Sequence, residues 1–526
     1  MREEKCMFLN IDLSYKLTGI ERASLLRAKI FREQLGITPT IVTTKYNNRL
    51  IHIRKYLVQH GVLDEEIPVI NMYEYFQETC SNLPKRNIQP TLKQSDWKLE
   101  SVPGTRDVRV YQNGRLIMYE KRTQKTGEIH YINFFHKGSK IRRDGYDCNG
   151  NLSVIQLLDQ DTQQVLMETY YRTDGTPCIT KHYPKKSKQA TCIMLLDCQG
   201  GVTHRFDGES ELITYWLQLI LSRTETYYLI IDKNRVYYKP LQQIISEQVH
   251  IIPVIHSRHT KTQGDVHTAG INFNYADIFA DVTKPDSIVL LTEKQKQDIQ
   301  KRFGTKGNFH VIPHVMEKLP VPVSFSRRKA KKVIALSRFS EEKNLDQMIT
   351  MFSRVVQQVP EATLEIYGSG SLKGELTKLI DQLGMNGRIF LKAYVSNPSE
   401  IYESAVLSLL TSNCEAFSLV TMESLAHGCP VISYDIKYGP SEMILDGRNG
   451  HLVPCGNQDT FIQRIVAILT NPSQNEAMSQ QAYELARKFQ AGESAKKWRK
   501  LLGGISKKRS KFLEVLFKPL SPSKKG

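Results

Sequence analysis

Two carboxylates eight positions apart, Glu415 and Glu423, stand in the run NCEAFSLVTMESLAHG, which is otherwise apolar enough for a core. The run follows the strand-like AVLSLLTS, which puts Glu415 in a loop and Glu423 almost two turns into a helix starting near Phe417. A buried carboxylate without a partner is costly. Glu423 therefore has two readings: it pairs with a structural Arg or Lys, or it faces a cleft and accepts hydrogen bonds from hydroxyls, as acidic residues hold ribose. Upstream, ALSRFSEEKNLDQMI sets Arg338 and Lys343 just past a strand at the mouth of a helix. Cations there, backed by the amides of a helix N-terminus, make a cradle for a diphosphate; the plainer reading is two solvated surface charges. Between these motifs, IYGSGSLKGEL runs a strand into Gly368, Ser369 and Gly370. Missing side chains there let backbone N–H groups approach a phosphate or a base, or make a tight turn. In PVIHSRHT, His256 ends a strand and His259 follows three residues on.

Such loops need parallel strands to present them. The first forty residues alternate strand, loop, helix and strand (KCMFLNIDL, SYKLTGI, ERASLLRAKIFREQLG, TPTIVTT), and this alternation implies a parallel sheet with ligands near the carboxyl ends of its strands. Gly19, in the first loop, serves either close approach of a ligand or a simple turn. From residue 75 to 204 the pattern changes to short alternating strands broken by Asn-Gly and Asp-Gly turns, with Gly150, Gly175 and Gly200 spaced as successive hairpins. Strand and helix alternation then resumes, pauses at the basic, proline-containing PHVMEKLPVPVSFSRRKAKK, and continues from KVIALSRFS. The expected organisation is α/β: a Rossmann-like doubly wound domain over 1–74 and 205–318, interrupted by an antiparallel β-rich insertion at 75–204. A linker at 319–332, a second Rossmann-like domain at 333–490 and a C-terminal helix with basic tail at 491–526 complete it. Two such domains facing each other leave a cleft, the usual place for a ligand.

Composition narrows the class. A chain of 526 residues exceeds one ordinary core, and 40% hydrophobic with 24% charged residues is the balance of a soluble globular protein. No apolar run is long enough to span a bilayer, and MREEKCMFLNIDLSYKL is acidic where a signal peptide is basic, so a cytoplasmic location is expected. Nine cysteines without a C-x-x-C pair suit reduced, packed thiols. A net charge of +18 favours polyanions. Nucleic acid is not the expected one, since no zinc spacing, RNA-recognition signature or basic helix is present. The tail GISKKRSKFLEVLFKPLSPSKKG mixes lysines with Phe512, Leu513, Val515, Leu516 and Phe517, which suits either an anionic membrane surface or a frayed basic end. The one D-x-D, Asp159 to Asp161, lies among the hairpins and reads as turn residues.

Taken together, Arg and Lys in SRFSEEKN, G-S-G after EIY, and E-x7-E in EAFSLVTME with HGCPVISYDIKYGPSEMI resemble family 4 of the retaining nucleotide-sugar glycosyltransferases, which have the GT-B fold. The motifs run in family order through the C-terminal half. LTGIERASLLRAKIF and the β-rich insertion resemble one branch, the poly(glycerol-phosphate) and poly(ribitol-phosphate) α-glycosyltransferases of wall teichoic acid. Enzymes that glycosylate serine-rich adhesins are close relatives of that branch, and a non-catalytic GT-B partner subunit is a further alternative. The first loop, KLTGI, departs from a two-glycine form. The resemblance implies a UDP-sugar donor, UDP-glucose favoured and UDP-N-acetylglucosamine next, no cofactor and no metal. It also implies that Arg338 and Lys343 bind the diphosphate, Glu415 contacts the sugar, Glu423 holds the ribose and His256 acts in the site. Donor contacts fall to Gly19, Gly368, Ser369, Gly370 and the backbone of Phe417, Ser418 and Leu419. Retention has two routes, a covalent intermediate on Glu415 or front-side displacement with the departing diphosphate as base, and the family favours the second. The expected partners are a polyanionic teichoic acid acceptor, the inner face of an anionic membrane, and further copies of the chain meeting through the insertion.

Overall fold

The computed structural model describes residues 4–77, 96–244, 246–261 and 265–516, with side chains as far as residue 506. By contacts the chain forms two compact units, Met1–Lys29 with Ile37–Ile251, and Ile30–Gly36 with Ile252–Gly526. The basic tail beyond residue 506, proposed for a membrane surface, lies outside the described side chains.

In the first unit, a five-stranded sheet runs in the order Val249–Pro253, Thr226–Ile231, Glu4–Asn10, Thr40–Thr43, Val69–Asn71. Glu4–Asn10 pairs in parallel with both of its neighbours. Thr226–Ile231 is buried along its whole length, as a strand covered on both faces must be. The helix Gly19–Ile30 opens with a capping box. Glu21 N donates to Thr18 Oγ1 at 3.4 Å, and Thr18 N donates to Glu21 Oε2 at 2.9 Å. At its other end Arg27 Nη2 reaches Asp232 Oδ1 at 2.6 Å, just past the neighbouring strand.

The insertion is a ten-stranded antiparallel meander in sequence order, from Trp97–Ser101 to Val202–Phe206. Gly150, Gly175 and Gly200 sit in its turns at φ 84°, 90° and 84°, the left-handed region that favours glycine. Asp159 Oδ1 accepts from Asp161 N at 3.2 Å and Thr162 N at 2.9 Å, so the D-x-D is a turn. The meander is fastened to the parallel sheet's side by Gln77, whose Nε2 donates to Ser153 O at 2.9 Å and Tyr171 O at 2.8 Å. The ammonium of Lys181, 1% exposed, adds bonds to Tyr73 Oη and the Glu209 carboxylate.

The second unit is built on a six-stranded parallel sheet. Its order is Ile389–Lys392, Thr363–Tyr367, Lys332–Leu336, Leu407–Leu410, Val431–Tyr434, Gly450–Val453. Numbered along the chain this is 3-2-1-4-5-6, so the winding reverses between Lys332–Leu336 and Leu407–Leu410, where doubly wound sheets bind ligands. The helix Leu345–Gln358 packs on this sheet through Leu345, Met348, Ile349, Phe352 and Val355, at helical spacing. Residues 252–318, which the sequence groups with the first Rossmann-like domain, cluster with this unit. Their helix Glu293–Phe303 bonds to the segment 437–442: Lys294 N donates to Glu442 Oε1 at 3.0 Å and Lys294 Nζ to Ser441 Oγ at 2.8 Å. Among the described residues no helix is long and apolar enough to cross a membrane.

Phe352 is fully buried under the sheet that carries the switch point. Phe352→Ala is expected to lower the unfolding free energy by about 3–5 kcal/mol, measured by urea denaturation.

Candidate functional site

At the winding reversal, two loops leave adjacent strands and are sewn together. Lys343 Nζ lies 2.7 Å from Glu415 Oε1, and the two side chains are 15% and 14% exposed. Ser412 Oγ donates to the same oxygen at 2.8 Å. Beside them Asn344 and Asn413 exchange amide hydrogen bonds, Asn413 Nδ2 donating to Asn344 Oδ1 at 2.8 Å. Asn413 N donates to Glu342 O at 2.8 Å, and Thr411 Oγ1 to Lys343 O at 2.9 Å. Asn344 turns the chain into the following helix from a left-handed conformation at φ 48°, one of the few that Asn tolerates well. Arg338 is held differently: its side chain is 75% exposed, with Nη2 2.8 Å from Glu342 Oε1. One cation is fixed and the other reaches into solvent.

Gly368 and Gly370 have a reason other than ligand approach. A Cβ on Gly368 would lie 1.8 Å from Ser337 O, and one on Gly370 would lie 2.2 Å from Phe339 O. Phe339 N donates to Ser369 O at 2.9 Å. The glycines therefore let the loop that carries Arg338 nest against their own backbone. Beyond them the next loop exposes Tyr394 and Val395, with Gly368 N donating to Lys392 O at 3.1 Å.

The helix after Glu415 is Leu419–Ala426. It starts two residues later than expected because Ser418 stands at φ 71° and ψ 77°, outside helical geometry, and Glu423 is its fifth residue. Phe417 is buried in a cluster with Met422, Met443 and Phe489, so its side chain is a wall. Glu423 Oε2 accepts from the phenol of Tyr402 at 3.2 Å. Tyr402 is fully buried, and burial followed by the neighbouring carboxylate pushes its pKa well above the ordinary phenol range. It remains a donor.

His256 and His314 stack at 5.5 Å between centroids and 8° between planes, and His314 meets Phe417 edge-on at 5.4 Å. His256 is thus joined through His314 to the wall behind Glu415. Gly19 belongs to the other unit, where it is the first residue of its capped helix. His259 is fully buried among Phe279, Phe303 and Tyr438. Burial, then the charge of Arg302, brings its pKa down to about 4.

Several supporting residues escaped the sequence. Arg328, within the expected linker, is buried and donates to Tyr402 O at 2.8 Å, Ala405 O at 2.7 Å and His427 O at 2.6 Å. It thereby caps the carboxyl ends of Ser399–Ser404 and Leu419–Ala426. No local pattern marks such a residue, because its partners are carbonyls more than seventy positions away. The αL residue Asn344 did have a local signal, an Asn directly before an amphipathic helix.

Residues 321–485 match the family described as Glycosyl transferases group 1. The chain is 26% identical over 508 residues to a poly(glycerol-phosphate) alpha-glucosyltransferase of Bacillus subtilis, covering 93% of this chain and 74% of that one. It is 25% identical over 525 residues to the GtfA subunit of a UDP-N-acetylglucosamine–peptide N-acetylglucosaminyltransferase of Streptococcus gordonii, covering 94% and 97%. Its fold matches the crystal structure of a mutant of S. aureus TarM in complex with fondaparinux, alpha-GlcNAc-glycerol and UDP. The TM-score is 0.82 at 22% identity, over 95% of this chain and 99% of that one. The fold is GT-B.

Because His259 binds a proton more weakly folded than unfolded, the unfolded state holds more protons between about pH 4 and the ordinary histidine value near 6.5. Stability is expected to fall as pH drops through that window. His259→Leu should flatten the slope, read from thermal midpoints at pH 4.5 and 7.

Proposed function

We propose, from the premise that residues 321–485 belong to the group 1 glycosyl transferases in a chain of GT-B fold, that the protein is a UDP-sugar-dependent hexosyltransferase acting with retention on a polyol-phosphate polymer. The observation that carries this reading is the Lys343–Glu415 contact at the reversal of the sheet, flanked by the exposed guanidinium of Arg338. A donor diphosphate laid across that rim meets two cations. They offset the negative charge that grows on the leaving group as the bond to the sugar breaks. Glu423 accepts from the ribose hydroxyls, Glu415 orients the sugar, and the amides of Phe417 to Leu419 and the loop Gly368 to Gly370 complete the donor contacts. His256 works on the sugar side.

Glu415 is already engaged by Lys343 and Ser412, which lowers its value as a nucleophile. This supports front-side displacement: the acceptor hydroxyl oxygen bonds to the anomeric carbon, the carbon–diphosphate bond breaks, and the hydroxyl proton passes to the departing diphosphate. The charge neutralisation that a metal performs elsewhere falls to Arg338 and Lys343. Glucose is the favoured sugar and wall teichoic acid the acceptor, supported by likeness to a glucosyltransferase named for poly(glycerol-phosphate). The same reading places the protein at the inner face of the membrane. Self-association through the insertion is supported by the exposure of its two edge strands, Trp97–Ser101 and Val202–Phe206.

Incubation with UDP-glucose and UDP-N-acetylglucosamine, each against poly(glycerol-phosphate), poly(ribitol-phosphate) and a serine-rich polypeptide, tests donor and acceptor together by product mass. Glucosylated poly(glycerol-phosphate) is expected. Product on the polypeptide alone would establish the adhesin-type alternative. Lys343→Ala and Glu423→Ala should each lower turnover by about 100-fold or more with the circular dichroism spectrum unchanged. Full activity in either would sink the assignment.

A further inference from the structure

The segment 437–442 braces the Glu415 loop from behind. Tyr438 N donates to Glu415 O at 2.7 Å. Gly439, at φ 96°, lies so close to the loop that a Cβ would stand 2.3 Å from Phe417 O. The brace is itself held by the helix Glu293–Phe303, outside the stretch that matches the transferase family. Asp298 Oδ2 accepts from Tyr438 Oη at 2.7 Å and from Lys437 Nζ at 2.8 Å. The Tyr438 ring is fully buried and stacks at 25° on His259, with centroids 6.2 Å apart, and Phe303 packs against that histidine.

We infer that Asp298 and Tyr438 are a positioning pair that sets Glu415 at the place where the transferred sugar is held. The inference rests on the role given to Glu415 under the proposed function. Tyr438 has two polar ends with different partners, the amide on Glu415 and the phenol on Asp298. A shift of the phenol therefore passes along the residue to the Glu415 backbone. His259, one of the two histidines of PVIHSRHT, is the wall against which Tyr438 is set. Helix Glu293–Phe303 fixes Asp298 through a capped start, where Gln295 N donates to Thr292 Oγ1 at 3.3 Å.

The test compares wild type with Tyr438→Phe, Asp298→Ala, Asp298→Asn and the double variant Asp298→Ala/Tyr438→Phe. Turnover and KM are measured with the donor and acceptor found active, and UDP affinity by calorimetry. Tyr438→Phe and Asp298→Ala should each lower kcat by about 10- to 100-fold. Their double variant should lose no more than either single, because the two act as one unit. UDP lacks the sugar that Glu415 orients, so its affinity should stay within about threefold. Asp298→Asn keeps an acceptor for the phenol and should recover most of the rate. Tyr438→Phe preserves the buried ring, so it keeps the test meaningful if Asp298→Ala folds poorly. Undiminished kcat in Tyr438→Phe, additive losses in the double variant, or UDP affinity falling in step with kcat would each overturn the inference. A wild-type chain that turns over no UDP-sugar overturns the proposed function and this inference with it; an active wild type with an equally active Tyr438→Phe overturns this inference alone.

Discussion

The contact between Lys343 and Glu415 depends on a constraint of chain winding. Lys332–Leu336 and Leu407–Leu410 are neighbours in the sheet, yet the chain leaves them in opposite lateral directions, so the loops at their carboxyl ends converge with no helix between. The gap is closed by short polar side chains: the Asn344–Asn413 amide pair, Thr411 on the Lys343 carbonyl and Ser412 on Glu415. An ammonium and a carboxylate so little exposed interact more strongly than surface ions, and removing either partner leaves the other poorly solvated. The fixed geometry is thus built from the protein's own bonds.

The rest of the rim varies in stiffness. Arg338 depends on an exposed i,i+4 pair with Glu342, an interaction worth little in water, and its guanidinium can leave that carboxylate at small cost. Its backbone is another matter, since the loop is nested against Gly368 and Gly370 at distances no side chain would permit. The rim thus pairs a rigid backbone with one fixed and one adaptable cation. Behind the second loop, Arg328 caps the carboxyl ends of two helices, and Tyr402 holds the Glu423 carboxylate. Both hydrogen-bond across elements far apart in sequence.

The alternation of strand and helix, the meander and its turns at Gly150, Gly175 and Gly200, and the apolar face of Leu345–Gln358 were all legible in the residues. Each is a local consequence of periodicity or of a backbone conformation only certain residues tolerate. That Arg338, Lys343 and Glu415 serve one site was an expectation from the family resemblance, and strand–loop–helix order by itself did not give the Lys343–Glu415 contact. Less legible was the start of the Glu423 helix, because the left-handed Ser418 leaves no mark in composition. His259 resembled His256 in its local context, and only burial among Phe279, Phe303 and Tyr438 marks it as a wall residue.

The sequence by itself determined the residue types of the site, their order, and the parallel architecture that presents them, because strand propensity, helix periodicity and loop glycines act over a few neighbouring positions. Tertiary structure decided which polar groups find one another: Glu415 with Lys343, Glu423 with Tyr402, Tyr438 with Asp298, and Arg328 with three distant carbonyls. A hydrogen bond is satisfied by any donor of suitable geometry, so its partner is chosen by where the packed strands and helices bring the chain, and no local pattern records that choice.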